Sequence, residues 1–210
     1  MVKPSSEKKN DDTRTRILEA ADAVFVRHGI DGARMQEIAD QARVNKALLH
    51  YYFQSKLGLA RAVWFRIAES FVPAVFQMLA SDLSLDEKIE RFVDTYHAVL
   101  TRHPYLMVFA LSEAARRPEL VHDFYSAQRR QAARRMIGKL QAQINERAKR
   151  TKSRPVSAKQ FFVTLVGGCL FPFASRALLV EVVGLRPAEV KGFMERRRKD
   201  LPVFLKRALQ

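Results

Sequence analysis

Apolar positions recur along most of the chain at three- and four-residue spacings, and no stretch alternates with a period of two. That pattern predicts an all-α protein of about nine helices. Ile17, Leu18, Ala21, Val24 and Phe25 form the inward stripe of a first helix over about 12–28, and Gly29 is its natural stop. Met35 to Ala42 is a short second helix with Ile38, Ala39 and Ala42 on one side. Arg43-Val44-Asn45 breaks it from a third, Lys46 to Phe53. A longer fourth helix starts near Ser55 and runs through Trp64, Phe65 and Phe71, until Pro73 kinks or ends it.

Capping signals place much of the remainder. Ser84 and Glu87 make a capping box that starts a fifth helix at Leu85, with Ile89, Phe92, Val93, Tyr96 and Leu100 inward. His103-Pro104 separates it from a sixth over about 105–116. Pro118 suits the first turn of a seventh, reaching about Arg147. Ser157 and Gln160 read as a second capping box, for an eighth helix over about 158–182. Gly184 closes that helix, and Pro187 opens a ninth running to about Ala208. The polar residues 1–11 read as a disordered arm.

The third helix carries the most chemistry. At about 100° per residue, Leu49, Tyr52 and Phe53 fall on one side and Lys46, Ala47, His50 and Tyr51 on the other. One face packs. The other offers a cation, a small residue, an imidazole and a phenol, with no carboxylate to repel a phosphate backbone. Two helices joined by a turn of about 3–4 residues form a helix-turn-helix, whose second member reads base edges in the major groove. An ordinary three-helix packing unit would not require an acid-free outer face.

Composition narrows the partners. The 210 residues carry a net charge of +15, which points to an anionic partner. The charge is concentrated away from the helix-turn-helix. Residues 1–60 hold 10 basic and 8 acidic side chains, while 116–159 hold 13 and 3. Two readings of 116–159 stand: a second anionic site, or a solvated helix face. Cys169 is the single cysteine, so neither a disulfide framework nor a Cys/His metal cluster is expected. No cofactor is expected either. The polar start lacks the core of a signal peptide, and the longest apolar run, Phe161 to Val183, is interrupted by Arg176 and Glu181. A cytoplasmic protein without a membrane span is expected.

Residues 14–64 resemble the TetR family of bacterial transcriptional regulators. The features that carry the resemblance follow in order: an apolar first helix ending in His28-Gly29, the Ile38-Ala39 pair, and Val44 in the turn. Leu49, Tyr52-Phe53 and Ser55-Lys56 then open the next helix. Two positions depart from the family pattern: Arg34 where a hydroxyl usually caps the second helix, and Arg43 where glycine often sits in the turn. The resemblance implies a helix-turn-helix DNA-binding domain over 12–54 and a larger ligand-sensing and dimerisation domain over 55–210. It implies DNA contacts from Arg34, Gln36, Asn45, Lys46, Ala47, His50, Tyr51 and Lys56. It also implies a homodimeric, ligand-responsive regulator, expected to be a repressor, on a near-palindromic double-stranded DNA operator. A small-molecule effector would enter among helices four to seven, with Phe92, Tyr96, Phe109, Phe124 and Gln128 as candidate lining residues. Each of these serves equally well as plain core.

The eighth predicted helix is apolar nearly all round, so it needs burial on more than one side. Gly167, Gly168 and Cys169 admit a close neighbour, and Pro172 bends it. In proteins similar to this one the last two helices pair across a two-fold axis. Phe162, Gly167, Gly168, Phe171, Phe193 and Phe204 are therefore the candidate dimer residues. A central helix in a monomeric core is the alternative. The sequence points away from an enzyme: Gly167-Gly168 follows no strand, and His28, His50, His97, His103 and His122 are scattered without a nucleophile. A non-specific packaging protein would account for the charge but not for the apolar C-terminal half.

Overall fold

The computed structural model describes residues 6–104, 111, 115, 116 and 118–210. Among them are ten α-helices, one 3-10 turn and no strand. The helices are α1 (Ser6–Gly32), α2 (Met35–Ala42), α3 (Lys46–Phe53), α4 (Lys56–Ala80), α5 (Leu85–Arg102), α6 (Pro118–Phe124), α7 (Ala127–Thr151), α8 (Ala158–Ala174), α9 (Arg176–Glu181) and α10 (Val190–Arg207). The predicted sixth helix lies almost wholly outside the described residues.

Two apolar cores share α4. The first gathers Ile17, Val24 and Phe25 of α1, Ile38 of α2, Leu49 and Phe53 of α3, and Leu59, Ala60 and Val63 of α4. The second begins at Ala68 and takes in α5, α7, α8 and α10 through Phe92, Leu140, Phe161 and Leu201. Trp64 packs against both. With 25 residues α4 is long and apolar enough to cross a bilayer, but here it is the spine on which both cores are built.

Local rules explain where the helices begin and end. The Ser84–Glu87 capping box forms in full. Gly29 breaks the helical run of α1 with φ 67°, a conformation open to glycine, and one more helical turn follows. Residues 6–11, expected as an arm, extend α1 instead. Pro73 does not end α4, which continues to Ala80.

Two predicted helices break and one predicted cap does not form, each for an identifiable reason. The helix expected from Pro118 breaks at Tyr125-Ser126, where the Ser126 hydroxyl accepts from Arg129 N. Arg129 and Arg130 reach back to the Phe124 and Tyr125 carbonyls, satisfying acceptors that a helix end leaves open. At Ser157 the predicted capping box does not form. The Ala158 amide donates instead to Gln141 Oε1 of α7 at 2.7 Å. The helix expected over 158–182 breaks at Ser175 into α8 and α9. Pro172 has no N–H for the Gly168 carbonyl four residues back, and Arg197 of α10 takes it with Nε at 3.1 Å and Nη2 at 3.0 Å.

Candidate nucleic-acid interface

The first core holds α3 from several sides. Leu49 and Phe53 are buried, Arg14 of α1 lies over the Phe53 ring at 5.7 Å, and the Tyr52 hydroxyl donates to Asn10. In the turn before it, Arg43 takes the left-handed conformation at φ 54° and donates to Asp40 O, and Val44 N donates to Ala39 O at 3.0 Å. The arginine thus occupies the backbone conformation that glycine takes without strain. Asn45 then caps α3, its Oδ1 accepting from Ala47 N at 2.9 Å.

The exit from α3 is tighter. Gln54 has φ 61° and ψ −42°, and Ser55 N donates to Phe53 O at 2.6 Å, a classic γ-turn of the strained kind. Ser55 caps α4 by accepting from Gly58 N at 3.0 Å. A Cβ on Gly58 would sit 2.2 Å from the Phe53 carbonyl oxygen, so only glycine fits there. Lys56 Nζ donates to the carbonyls of Asp31 at 2.8 Å and Ala33 at 3.2 Å. That ammonium, expected as a phosphate contact, fastens the start of α4 to the turn between α1 and α2.

With α3 so held, Lys46, Ala47, His50 and Tyr51 lie on one exposed face, Tyr51 with 75% of its surface open. Lys46 Nζ has no partner among the described residues. His50 Nδ1 lies 3.2 Å from Gln54 O, which can only accept. The proton therefore sits on Nδ1, and Nε2 is left for an outside donor. Arg34 is exposed at the N-cap of α2 and makes no side-chain cap. Gln36, also exposed, donates to Asp40 Oδ1 at 2.8 Å.

The candidate effector residues separate. Phe92 stacks on Tyr96 with centroids 4.3 Å apart, and Phe71 meets the Tyr96 ring edge-on. Burial holds the Tyr96 phenol well above its ordinary range, and it pushes the Cys169 thiol up to about 12, leaving it an unreactive small hydrophobe. Phe124 belongs to a second aromatic group with Trp64, Phe65 and Tyr125. Gln128 is exposed and lines a groove between α4 and α7 with Phe76 and Arg135, away from Phe92 and Tyr96. Phe109 lies outside the described residues.

The candidate dimer residues divide as well. Val163, Gly167 and Phe171 form an exposed stripe on α8 at four-residue spacing, and Val203 and Phe204 are exposed on α10. Gly168 faces inward: a Cβ there would lie 3.2 Å from Leu201 Cδ1 of the same chain. Phe162 packs edge-on against Phe92 in the second core. Phe193 is half-buried. Gly168 and Phe162 were expected at the dimer face because a small or aromatic residue signals close packing without saying against what. Among the described residues, no group of three or more His, Cys, Asp or Glu side chains is placed to hold a metal ion.

The family model described as bacterial regulatory proteins, tetR family, matches residues 17–63. Over 95 residues the chain is 37% identical to the HTH-type transcriptional repressor SCO4008 of Streptomyces coelicolor, covering 45% of this chain and 46% of the relative. Over 86 residues it is 37% identical to the HTH-type transcriptional activator FasR of Mycolicibacterium smegmatis, covering 41% and 39%. The chain thus spans under half the length of each relative. A crystal structure of a TetR/AcrR-family regulator from Thermobifida fusca superposes with a TM-score of 0.62 at 20% identity, over 91% of this chain and 97% of that one.

Proposed function

Because residues 17–63 match the tetR family of bacterial regulatory proteins, we propose that the chain is a homodimeric, sequence-specific DNA-binding regulator whose grip on its operator is set by a small molecule. The observation that carries the reading is the acid-free outer face of α3, with Lys46, Ala47, His50 and Tyr51 exposed on a helix anchored by Leu49, Phe53 and Asn45. Lys46 and the outward Nε2 of His50 are suited to base edges, and Arg34 to a phosphate. Residues 12–54 act as the DNA-binding domain and 55–210 as the sensing and dimerisation domain, with α4 belonging to both cores.

The dimer follows from unmatched surface. The Val163, Gly167 and Phe171 stripe with Val203 and Phe204 is an apolar face that a two-fold mate would cover with the same face. Two α3 helices must then meet successive major-groove faces about 34–36 Å apart on a near-palindromic site. An effector seated among α4, α5 and the Phe71–Phe92–Tyr96 aromatics, and binding one α4 position better, changes that spacing. Release of a repressor on effector binding is the favoured sign, as in a cytoplasmic one-component switch. Selection of bound duplexes from a random pool tests the reading. A two-fold consensus is expected; enrichment without any consensus would leave a non-specific binder in its place.

A further inference from the structure

A cleft of about 230 Å³ opens between the second half of α5, the α8–α9 junction and the first turns of α10. Its apolar floor is Leu100, Phe173 and Met194. Four ionisable side chains surround that floor: His97, Arg176, Lys191 and Glu195. Neither Phe92 nor Tyr96 lines it, although Leu100 continues their row on α5 one turn further on. The volume is below the range of drug-sized pockets, which fixes the scale of an occupant.

We propose that this cleft is a separate binding site for a small organic carboxylate with an apolar body about the size of a benzene ring. His97 supplies the first reason. Its Nε2 is buried and has no hydrogen-bond partner, and Glu195 Oε1 is 3.9 Å away, beyond hydrogen-bond reach. An unmatched buried ring nitrogen is rare in a settled structure, and in the tautomer that carries its proton there a ligand oxygen accepting from Nε2–H would satisfy it. The His97 ring stands edge-on to Phe173, at the boundary with a smaller void of about 20 Å³ that both residues also line.

Charge supplies the second reason. Arg176 and Lys191 are exposed and have no partner among the described residues, whereas Glu195 alone opposes them. Two other cations of α10 are already engaged, Arg197 with the Gly168 carbonyl and Arg198 with Asp94 Oδ1 at 2.6 Å. The rim is therefore net cationic above an apolar floor, the pattern that selects an amphipathic anion over an amine or a neutral alcohol. Pro104 lines the cleft, and His103 immediately before it bonds Asp22 of α1. An occupant would thus press on a link to the α3-bearing core, a consequence that rests on the DNA-binding reading, whereas the site itself does not.

The test is calorimetric titration of the full chain with benzoate, phenylacetate and hexanoate, using benzylamine and benzyl alcohol as controls. At least one carboxylate should saturate a single site per chain, at least tenfold more tightly than either control. The ε-methyl NMR signal of Met194 should move and that of the buried Met136 should not. Arg176→Glu with Lys191→Glu, two exposed changes that leave the fold intact, should weaken binding tenfold or more. Absence of saturation by all three acids, equal binding of benzylamine, an unmoved Met194 signal, or indifference to the charge reversal would each overturn the proposal.

Discussion

The Nδ1 atom of His103 lies 2.9 Å from Asp22 Oδ1, a hydrogen bond between the residue that caps the C-terminus of α5 and the middle of α1. Both side chains are largely buried, at 11% and 17% exposure. It is a polar tie between elements of the two cores, and Arg66 of α4, 3.8 Å from Glu19, lies in the same groove. A link of this kind transmits displacement only while it is made. His103→Ala is expected to cost about 1–3 kcal/mol of stability, as removal of one partner of a buried hydrogen bond does. More tellingly, it should reduce the factor by which effector alters operator affinity, with each ligand still binding alone. Reciprocal titrations of effector and operator measure that factor from both directions. An unchanged factor would remove the tie from the coupling route.

Gly58 makes the sharpest steric prediction. The 2.2 Å approach of a built Cβ to the Phe53 carbonyl leaves no room for a methyl group unless the α3–α4 joint moves. Gly58→Ala should lower thermal stability by about 1–3 kcal/mol and weaken operator binding beyond that loss. Gln54→Gly, which relieves a positive φ at the same joint, should instead be neutral or stabilising. Denaturant unfolding of both variants checks the pair.

Much of the helix-turn-helix architecture is legible in the sequence because it depends on local spacing. The wheel that separates Leu49 and Phe53 from Lys46, Ala47, His50 and Tyr51 needs only the 3.6-residue period, and the observed burial divides the same way. Gly29 and the Ser84–Glu87 box are likewise local signals, and both act as read. What the sequence misassigns is set by distant partners. Gly168 announces a close approach, but that the neighbour is Leu201 of the same chain depends on how α10 folds back. Ser157 has the form of a cap, yet Gln141 reaches the α8 amide first. Lys56 resembles a free cation until the carbonyls of Asp31 and Ala33 are brought beside it. The tight passage at Gly58 has no periodic signature at all.

Lys88 gives a pH prediction. Its side chain is fully buried and donates to Gln143 Oε1 at 2.8 Å. Burial first, then the nearby Lys139 charge, depress its pKa below the ordinary 10.5, partly offset by Asp82. The folded state therefore disfavours the charged form, so stability is lower while Lys88 is protonated in both states. It recovers as pH rises from the folded pKa toward 10.5. Lys88→Met lacks this recovery. Unfolding free energies measured from pH 7 to 10 should show the wild type gaining on the variant as pH rises. A constant difference would contradict the assignment.

The apolar outer stripe gives an assembly prediction. Phe171, 57% exposed, and Gly167 face outward, so Phe171→Asp or Gly167→Glu should yield folded monomers in sedimentation experiments, with operator affinity lost in step. Gly168→Glu should act differently: it forces a charge against Leu201 and should lower stability before it changes assembly. Monomeric wild-type protein that still protects a two-fold site would exclude the symmetric arrangement.

The central claim is that the outer face of α3 reads sequence. Footprinting of wild type and Lys46→Ala on the selected operator and on single-base variants, over a range of salt concentrations, tests it directly. The account predicts two protected half-sites about 10–10.5 bp apart, or a multiple of that. It also predicts that Lys46→Ala loses discrimination at one base pair per half-site, by about 1–3 kcal/mol for a bidentate contact. Uniform weakening on every sequence with a shallower salt slope would make Lys46 a phosphate contact only. Binding that ignores Lys46, His50 and Tyr51 substitutions alike would contradict the assignment of α3 as the reader.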